Sequence, residues 1–141
     1  MSVPLDITIR TATSEDYSAI VAISKTTLWE KSHFLKVMIS RGAVDVASVG
    51  GRIAGFNAWN REFFSHPMVW LVVVNPDDRR KGVASRLFAK AERESTGTRL
   101  YSSTNRSNVA MQRFHEKRGY RVCGEVDLDP GDPEVFYCID L

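Results

Sequence analysis

The sequence predicts a single α/β domain spanning residues 1–141: a mixed sheet of about seven strands in the order β-α-α-β-β-β-α-β-α-β-β. Three observations predict it. Short alternating or apolar runs, bounded by Gly, Pro, Asn and Asp, recur along the whole chain. The Gly50-Gly51 pair joins two of these runs as an antiparallel hairpin, whereas later runs are separated by stretches of helical periodicity, the mark of crossover connections. The chain of 141 residues has room for one core, and nothing in it recurs at the fixed period of a solenoid.

Each element has its own local reason. "LDITIRTA" alternates Leu5, Ile7 and Ile9 against polar neighbours, the period of a half-buried strand. "TSEDYSAIVAISKTTLW" follows as a helix, with Thr13 and Asp16 at capping-box spacing and Tyr17, Ile20, Val21 and Ser24 along one face. A second helix over Ser32 to Ser40 stops at Arg41-Gly42. "VDVASV" and "RIAGFNAW" are the two hairpin strands around Gly50-Gly51, and "NREFFSHP" reads as a loop. "MVWLVVV" is apolar on both faces, which suits a buried central strand, and Pro76 ends it. From Gly82, the positions Val83, Leu87, Phe88 and Ala91 form one helical stripe. "TRLYSST" is a strand, "SNVAMQRFHEKRGY" a helix stopped by Gly119, and "RVCGEV" and "EVFYCIDL" a hairpin around Asp129-Pro130-Gly131-Asp132-Pro133.

Composition narrows the function. A net charge of +2 gives no support to general nucleic-acid binding, so any positive feature is local, and no nucleic-acid partner is expected. No window approaches the ~18–20 apolar residues of a membrane span, and the opening "MSVPLDITIRTATSEDY" has no basic segment followed by an apolar one, so a cytoplasmic protein without a membrane partner is expected. Cys123 and Cys138 are too few and too far apart for a zinc cluster and read as thiols filling structure. His33, His66 and His115 lie in separate elements without ligand-like spacing, so no metal is expected. Asn105-Arg106-Ser107 matches a glycosylation acceptor, but with no secretory signal the match carries no function.

The chemistry concentrates in "LVVVNPDDRRKGVASRLFAKAERE", where a strand meets a helix through a strongly basic turn. A helix that starts just after Gly82 offers unpaired backbone N–H groups and the positive end of its dipole, and glycine lets the backbone come close to an anion. Arg79 and Arg80 suit bidentate phosphate contacts, Lys81 adds a point charge, and Ser85 can donate a further hydrogen bond. Taken alone, a solvated basic turn around a helix start is the competing reading.

The element order, the run Arg79-Arg80-Lys81-Gly82-Val83-Ala84 and the segment "SNVAMQRFHEKRGY" together resemble the GNAT superfamily of acyl-CoA N-acyltransferases, over nearly the whole chain. The first run fits that family's pyrophosphate-binding pattern Gln/Arg-x-x-Gly-x-Gly/Ala, and the second its Asn-x-Ala…Phe-Tyr-Glu-Lys-x-Gly-Tyr/Phe helix. The resemblance implies a GNAT-like mixed sheet with helices on both faces. It also implies an N-acetyltransferase that moves an acetyl group from acetyl-CoA (coenzyme A) to a primary amine by direct attack in a ternary complex, with no metal. The runner-up is an acyl-CoA sensor or degenerate acyltransferase that binds without turnover.

Carried residue by residue, the resemblance assigns the backbone of Val72, Val73 and Val74 to the pantetheine arm as an extension of the sheet, with an N–H from Leu71 to Val74 for the oxyanion. Asn108 matches the asparagine that contacts the cofactor arm, and equally serves as a helix cap before Val109. The family's Tyr that protonates the leaving thiolate is replaced by His115, either as hydrogen-bond donor to the thiolate or as a polar surface residue of its helix; Tyr101 and Tyr120 are weaker substitutes. Candidates to take the amine proton are Glu62 first, then Glu30 and His66. Trp29, Trp59, Phe63 and Phe64 suggest an apolar or aromatic acceptor pocket. The acceptor is a small-molecule amine or a peptide, and a homodimer is compatible with the family, many of whose members dimerise.

Overall fold

The computed structural model describes residues 6–27 and 31–141; Leu5, Trp29 and Glu30, named above, lie outside them. The described chain runs β1 (Ile7–Thr11), α1 (Tyr17–Ser24), α2 (Ser32–Ser40), β2 (Val44–Val49), β3 (Arg52–Phe63), β4 (His66–Val74), α3 (Val83–Glu94), β5 (Arg99–Asn105), α4 (Val109–Lys117), β6 (Arg121–Asp129) and β7 (Asp132–Asp140). This is the predicted order. The seven strands form one sheet in the order β1-β2-β3-β4-β5-β7-β6. β1, β2 and β3 pair antiparallel, β4 and β5 pair parallel through the α3 crossover, and β7 pairs antiparallel with both β5 and β6.

The chain divides into two compact units, one comprising the residues up to Trp59 with Leu71–Arg93, the other Asn60–Trp70 with Glu94–Leu141. In the first, α1 and α2 put Ile20, Ile23, Leu35, Met38 and Ile39 against Val44, Val46, Phe56 and Ala58 of the strands and Val73 of β4. Successive strand residues face opposite ways, so the other face carries Ala47 and Val49, which pack with Val83 and Leu87 of α3 and with the half-buried Val72 and Val74. Helices thus cover both faces of this unit. Arg10 holds Asp16 through two hydrogen bonds of 2.7 and 2.9 Å beside the Thr13–Asp16 capping box, which fixes the entry to α1. The helix ends at Ser24 because the hydroxyls of Ser24, Thr26 and Thr27 bond back to the carbonyls of Val21, Ile23 and Ser24.

In the second unit β7 divides two environments. Tyr137 is buried and stacks on His115 of α4, while Phe136, its neighbour on the opposite face, stacks on Phe63. Phe63 also meets Phe64, Trp70 and Tyr101 edge to face at 5.2 to 5.8 Å. The stretch "NREFFSHP" is therefore not a loop. β3 continues to Phe63 and β4 begins at His66, with Phe64 and Ser65 as a two-residue turn at φ +50 and +66. Neither is the Gly or Asn that usually marks such a turn. The Gly50-Gly51 turn, by contrast, has the expected positive φ at both residues, +58 and +79.

Candidate active site

Asn75 opens the basic turn of the first unit: its side chain accepts from the Asp77 amide and starts a short 3-10 turn over Pro76–Asp78. Asp78 then turns inward and is fully buried. Its two oxygens accept from the two terminal nitrogens of Arg52 at 2.5 Å each, and Lys81 reaches one of them at 3.3 Å. The Arg52 hydrogen bonds outweigh burial, which acts the other way, and hold Asp78 below the usual carboxylate range. Arg80 at φ +63 and Gly82 at φ +84 bend the chain back into α3. A buried carboxylate thus anchors a turn whose outer residues, Arg79, Arg80, Lys81 and Gly82, are exposed.

The first α3 amide to bond back is that of Arg86, to the Gly82 carbonyl at 3.1 Å, so the amides of Val83, Ala84 and Ser85 precede the helical ladder. The Val83 side chain is buried beneath them, leaving only its backbone to offer. A Cβ on Gly82 would meet nothing within 4 Å, so its surroundings are open and the need for glycine comes from the positive φ. Bare amides at a helix start, open space and three exposed cations fit a polyphosphate. Within the same unit Val72, Val73 and Val74 point their side chains into the two cores, as the sequence suggested. The pairing of β4 with β5 takes in Met68↔Tyr101 and Val69↔Ser102, and Leu71 to Val74 lie beyond it.

In the second unit Asn108 caps α4, accepting from the Met111 amide at 3.1 Å, and remains exposed. His115 is not a surface residue: it is fully buried, 4.5 Å from Tyr137 in a near-parallel stack and edge to face with Tyr120. Its Nδ1 lies 2.9 Å from the Met111 carbonyl, and its Nε2 lies 2.7 Å from Ser102 Oγ. A carbonyl only accepts, so Nδ1 carries the proton and Nε2 accepts from the Ser102 hydroxyl. Burial lowers the His115 pKa from 6.5 to about 4, and the ring is neutral at pH 7. Its one proton is therefore already committed to Met111.

Glu62 is exposed on β3, where Asn60 Nδ2 donates to it at 3.1 Å and its own amide donates to Asn60 Oδ1. Trp70 Nε1 donates to the same Asn60 oxygen at 2.7 Å. His66 is exposed at the same hairpin, with its ring against Tyr101. The aromatic expectation divides: Trp59 is a core residue hydrogen-bonded to Asp45 at 2.8 Å, whereas Phe63, Phe64, Trp70, Tyr101 and Phe136 form a cluster of which Phe64 is 85% exposed. Among the described residues no group of three or more His, Cys, Asp or Glu could hold a metal ion, and no helix is long and apolar enough to cross a membrane. The sequence reading missed Asp78 and Arg52. The local signal was present in Asn75-Pro76-Asp77-Asp78, a capped turn, but the ion-pair partner lies 26 residues away.

A mixed sheet with a parallel β4–β5 step, joined through a basic turn and α3, is the fold of a class of acetyltransferases. The family model for the acetyltransferase (GNAT) family matches residues 8–120, and the chain belongs to that family. Among solved structures, a GNAT-family acetyltransferase from Bacillus cereus is 29% identical, with a TM-score of 0.88 over 96% of this chain and 97% of its own. The ribosomal-protein-S18-alanine N-acetyltransferase of Escherichia coli is 18% identical, with a TM-score of 0.77 over 95% and 93%. YncA from Salmonella typhimurium, solved with its cofactor acetyl-CoA, is 21% identical, with a TM-score of 0.72 over 96% and 94%. No curated protein matches the sequence.

Proposed function

We propose that this chain is an acetyl-CoA-dependent N-acetyltransferase acting on a primary amine of a small molecule or a peptide. The observation that carries the proposal is the Asp78-anchored turn, which presents Arg79, Arg80 and Lys81 on an exposed loop beside the amides of Gly82 to Ser85 at the start of α3. In this reading those groups bind the pyrophosphate, Asn108 contacts the cofactor arm, and the β4 backbone beyond Val69 hydrogen-bonds the pantetheine and polarises the thioester carbonyl. Acetyl-CoA supplies the acyl group: the neutral amine attacks the thioester carbon, and the coenzyme thiolate leaves.

His115 supports the core in this reading and does not protonate that thiolate, because its single proton is held by Met111 and its Nε2 by Ser102. A thiolate is a weak base, with a parent pKa of about 8.5, and takes its proton from water. Glu62 is the proposed acceptor of the amine proton, directly or through one water.

The test is calorimetric and thermal-shift binding of acetyl-CoA and CoA to the wild type and to Gly82→Glu, beside ATP and a short RNA. A ligand that binds only the native state stabilises it by about 2.7 kcal/mol at 100 times its dissociation constant. Stabilisation by both coenzyme species, abolished in Gly82→Glu, is expected. No response to either would overturn the assignment. Binding without acetylation of any amine in a broad panel would favour the acyl-CoA sensor.

A further inference from the structure

Asn57 of β3 is fully buried, and neither end of its side-chain amide, Oδ1 or Nδ2, has a hydrogen-bond partner among the described residues. It stands in the first unit, directly opposite Asp45 of β2, in a regular stretch of the ladder ahead of the register shift between Ala47 and Ser48. Directly opposed strand residues face the same way, with Cβ atoms about 4.5–5.5 Å apart. Asp45 is buried too, and its two oxygens accept from Trp59 Nε1 at 2.8 Å and from Lys90 Nζ of α3 at 2.9 Å. Asn57 thus lies against a completed ion pair with two donors and two acceptor positions of its own unused. A buried amide left in that condition is destabilising and rare.

We propose that Asn57 and Asp45 form a binding site for one internal water molecule. The water accepts from Asn57 Nδ2, returns one proton to Asn57 Oδ1 in a closed ring, and donates its other proton to an Asp45 oxygen. Each carboxylate oxygen keeps a second lone pair beyond the one that Trp59 or Lys90 engages. Three hydrogen bonds are the usual complement of a buried water. The spacing suits it: the amide and the carboxylate share a face as cross-strand partners but make no direct hydrogen bond, so one molecule between them spans the gap.

The chemistry selects water over a cation. Lys90 already supplies the positive charge beside Asp45, and a cation bound at Oδ1 would leave the Nδ2 donor without an acceptor. The site also ties three elements together. Lys90 draws α3 to β2, and the water brings β3 into the same network, so α3 is held to the sheet by polar contacts as well as by Val83 and Leu87.

Two measurements on the wild-type chain test the site. In isotope-labelled protein, the Asn57 side-chain amide protons should show cross-peaks to the water resonance of opposite sign in NOE and ROE spectra, as a water tumbling with the protein produces. In a high-resolution crystal structure, one oxygen-sized peak should stand about 2.7–3.2 Å from Oδ1, from Nδ2 and from one Asp45 oxygen. In Asn57→Leu the peak should be lost while Trp59 and Lys90 keep their bonds to Asp45; should that variant fail to fold, the two wild-type signals still decide. Absence of either signal would overturn the proposal, as would an Asn57 amide bonded directly to Asp45. A peak surrounded by six or more oxygens, as a metal ion would be, or one that persists in Asn57→Leu would overturn it equally.

Discussion

Gly55 of β3 lies at the closest approach of the strands that feed the basic turn, and its replacement by alanine tests whether that approach matters. A Cβ there would stand 2.9 Å from the Val73 carbonyl oxygen, 3.1 Å from Val83 Cγ1 and 3.3 Å from Val74 Cα. Carbon–carbon contacts prefer about 3.5–4.0 Å, so two of the three gaps are short by a few tenths of an ångström, and the third presses on backbone that cannot rotate away. Overpacking of this kind costs about 1–3 kcal/mol, against which alanine recovers about 0.5–1 kcal/mol of chain entropy relative to glycine in a strand. The net is a loss of about 1–2 kcal/mol, or roughly 5 °C in Tm for a chain of this size. Because the clash falls on Val73 and Val74, acetyl-CoA affinity should fall by about tenfold as well. Gly124→Ala, in a strand but at a site open to solvent, is the control and should melt at or slightly above the wild type. Calorimetric melting and acetyl-CoA titration of the two variants decide the matter. A Gly55→Ala protein that melts and binds like the wild type would refute the reasoning.

Two further outcomes follow from buried charge. Asp78→Asn removes the anchor of the turn and leaves Arg52 and Lys81 without their carboxylate; Tm should drop by about 5–10 °C in calorimetric melting, and acetyl-CoA titration should show weaker binding even though none of the residues proposed to face the coenzyme has changed. His115 has a native pKa of about 4 against an ordinary 6.5, so between those values the unfolded chain binds a proton that the native chain does not. Stability should therefore rise with pH across that window, by about 3 kcal/mol in all, and His115→Asn should flatten the rise in urea melts taken from pH 4 to 7.

Where structure is local, the sequence was legible. Gly50-Gly51 announces its hairpin because both residues need positive φ, and the stripe Val83, Leu87, Phe88 and Ala91 announces α3 because those side chains are the buried face. The Phe64–Ser65 turn was hidden, since tertiary packing of Phe63 against Trp70, Tyr101 and Phe136 holds a turn that lacks the usual residues. The surface reading of His115 fails for a related reason. Helical spacing puts it on a face with Met111, but whether that face meets water or Tyr137, 22 residues further on, is set by strand order. The basic turn could be read as an anion site from its exposed residues alone. Its support could not, because Asp78 looks like one more surface acid until Arg52 is brought to it.

The buried state of His115 moves the chemical question from the thiolate to the amine. A primary amine with a pKa of about 10.4 is neutral in only about one molecule in 2,500 at pH 7, a penalty of about 4–5 kcal/mol on the barrier unless a base removes the proton in place. The leaving thiolate carries no comparable demand, so loss of a side-chain acid is tolerable where loss of a base is not. If Glu62 is that base, Glu62→Gln should lower kcat/KM by about a hundredfold near pH 7. The deficit should shrink as pH approaches the amine pKa, where the acceptor is already neutral. Folding should be unaffected, because Glu62 is exposed and its Asn60 contact survives with glutamine. A deficit that stays constant with pH would assign Glu62 to acceptor binding, and no deficit would mean that solvent takes the proton.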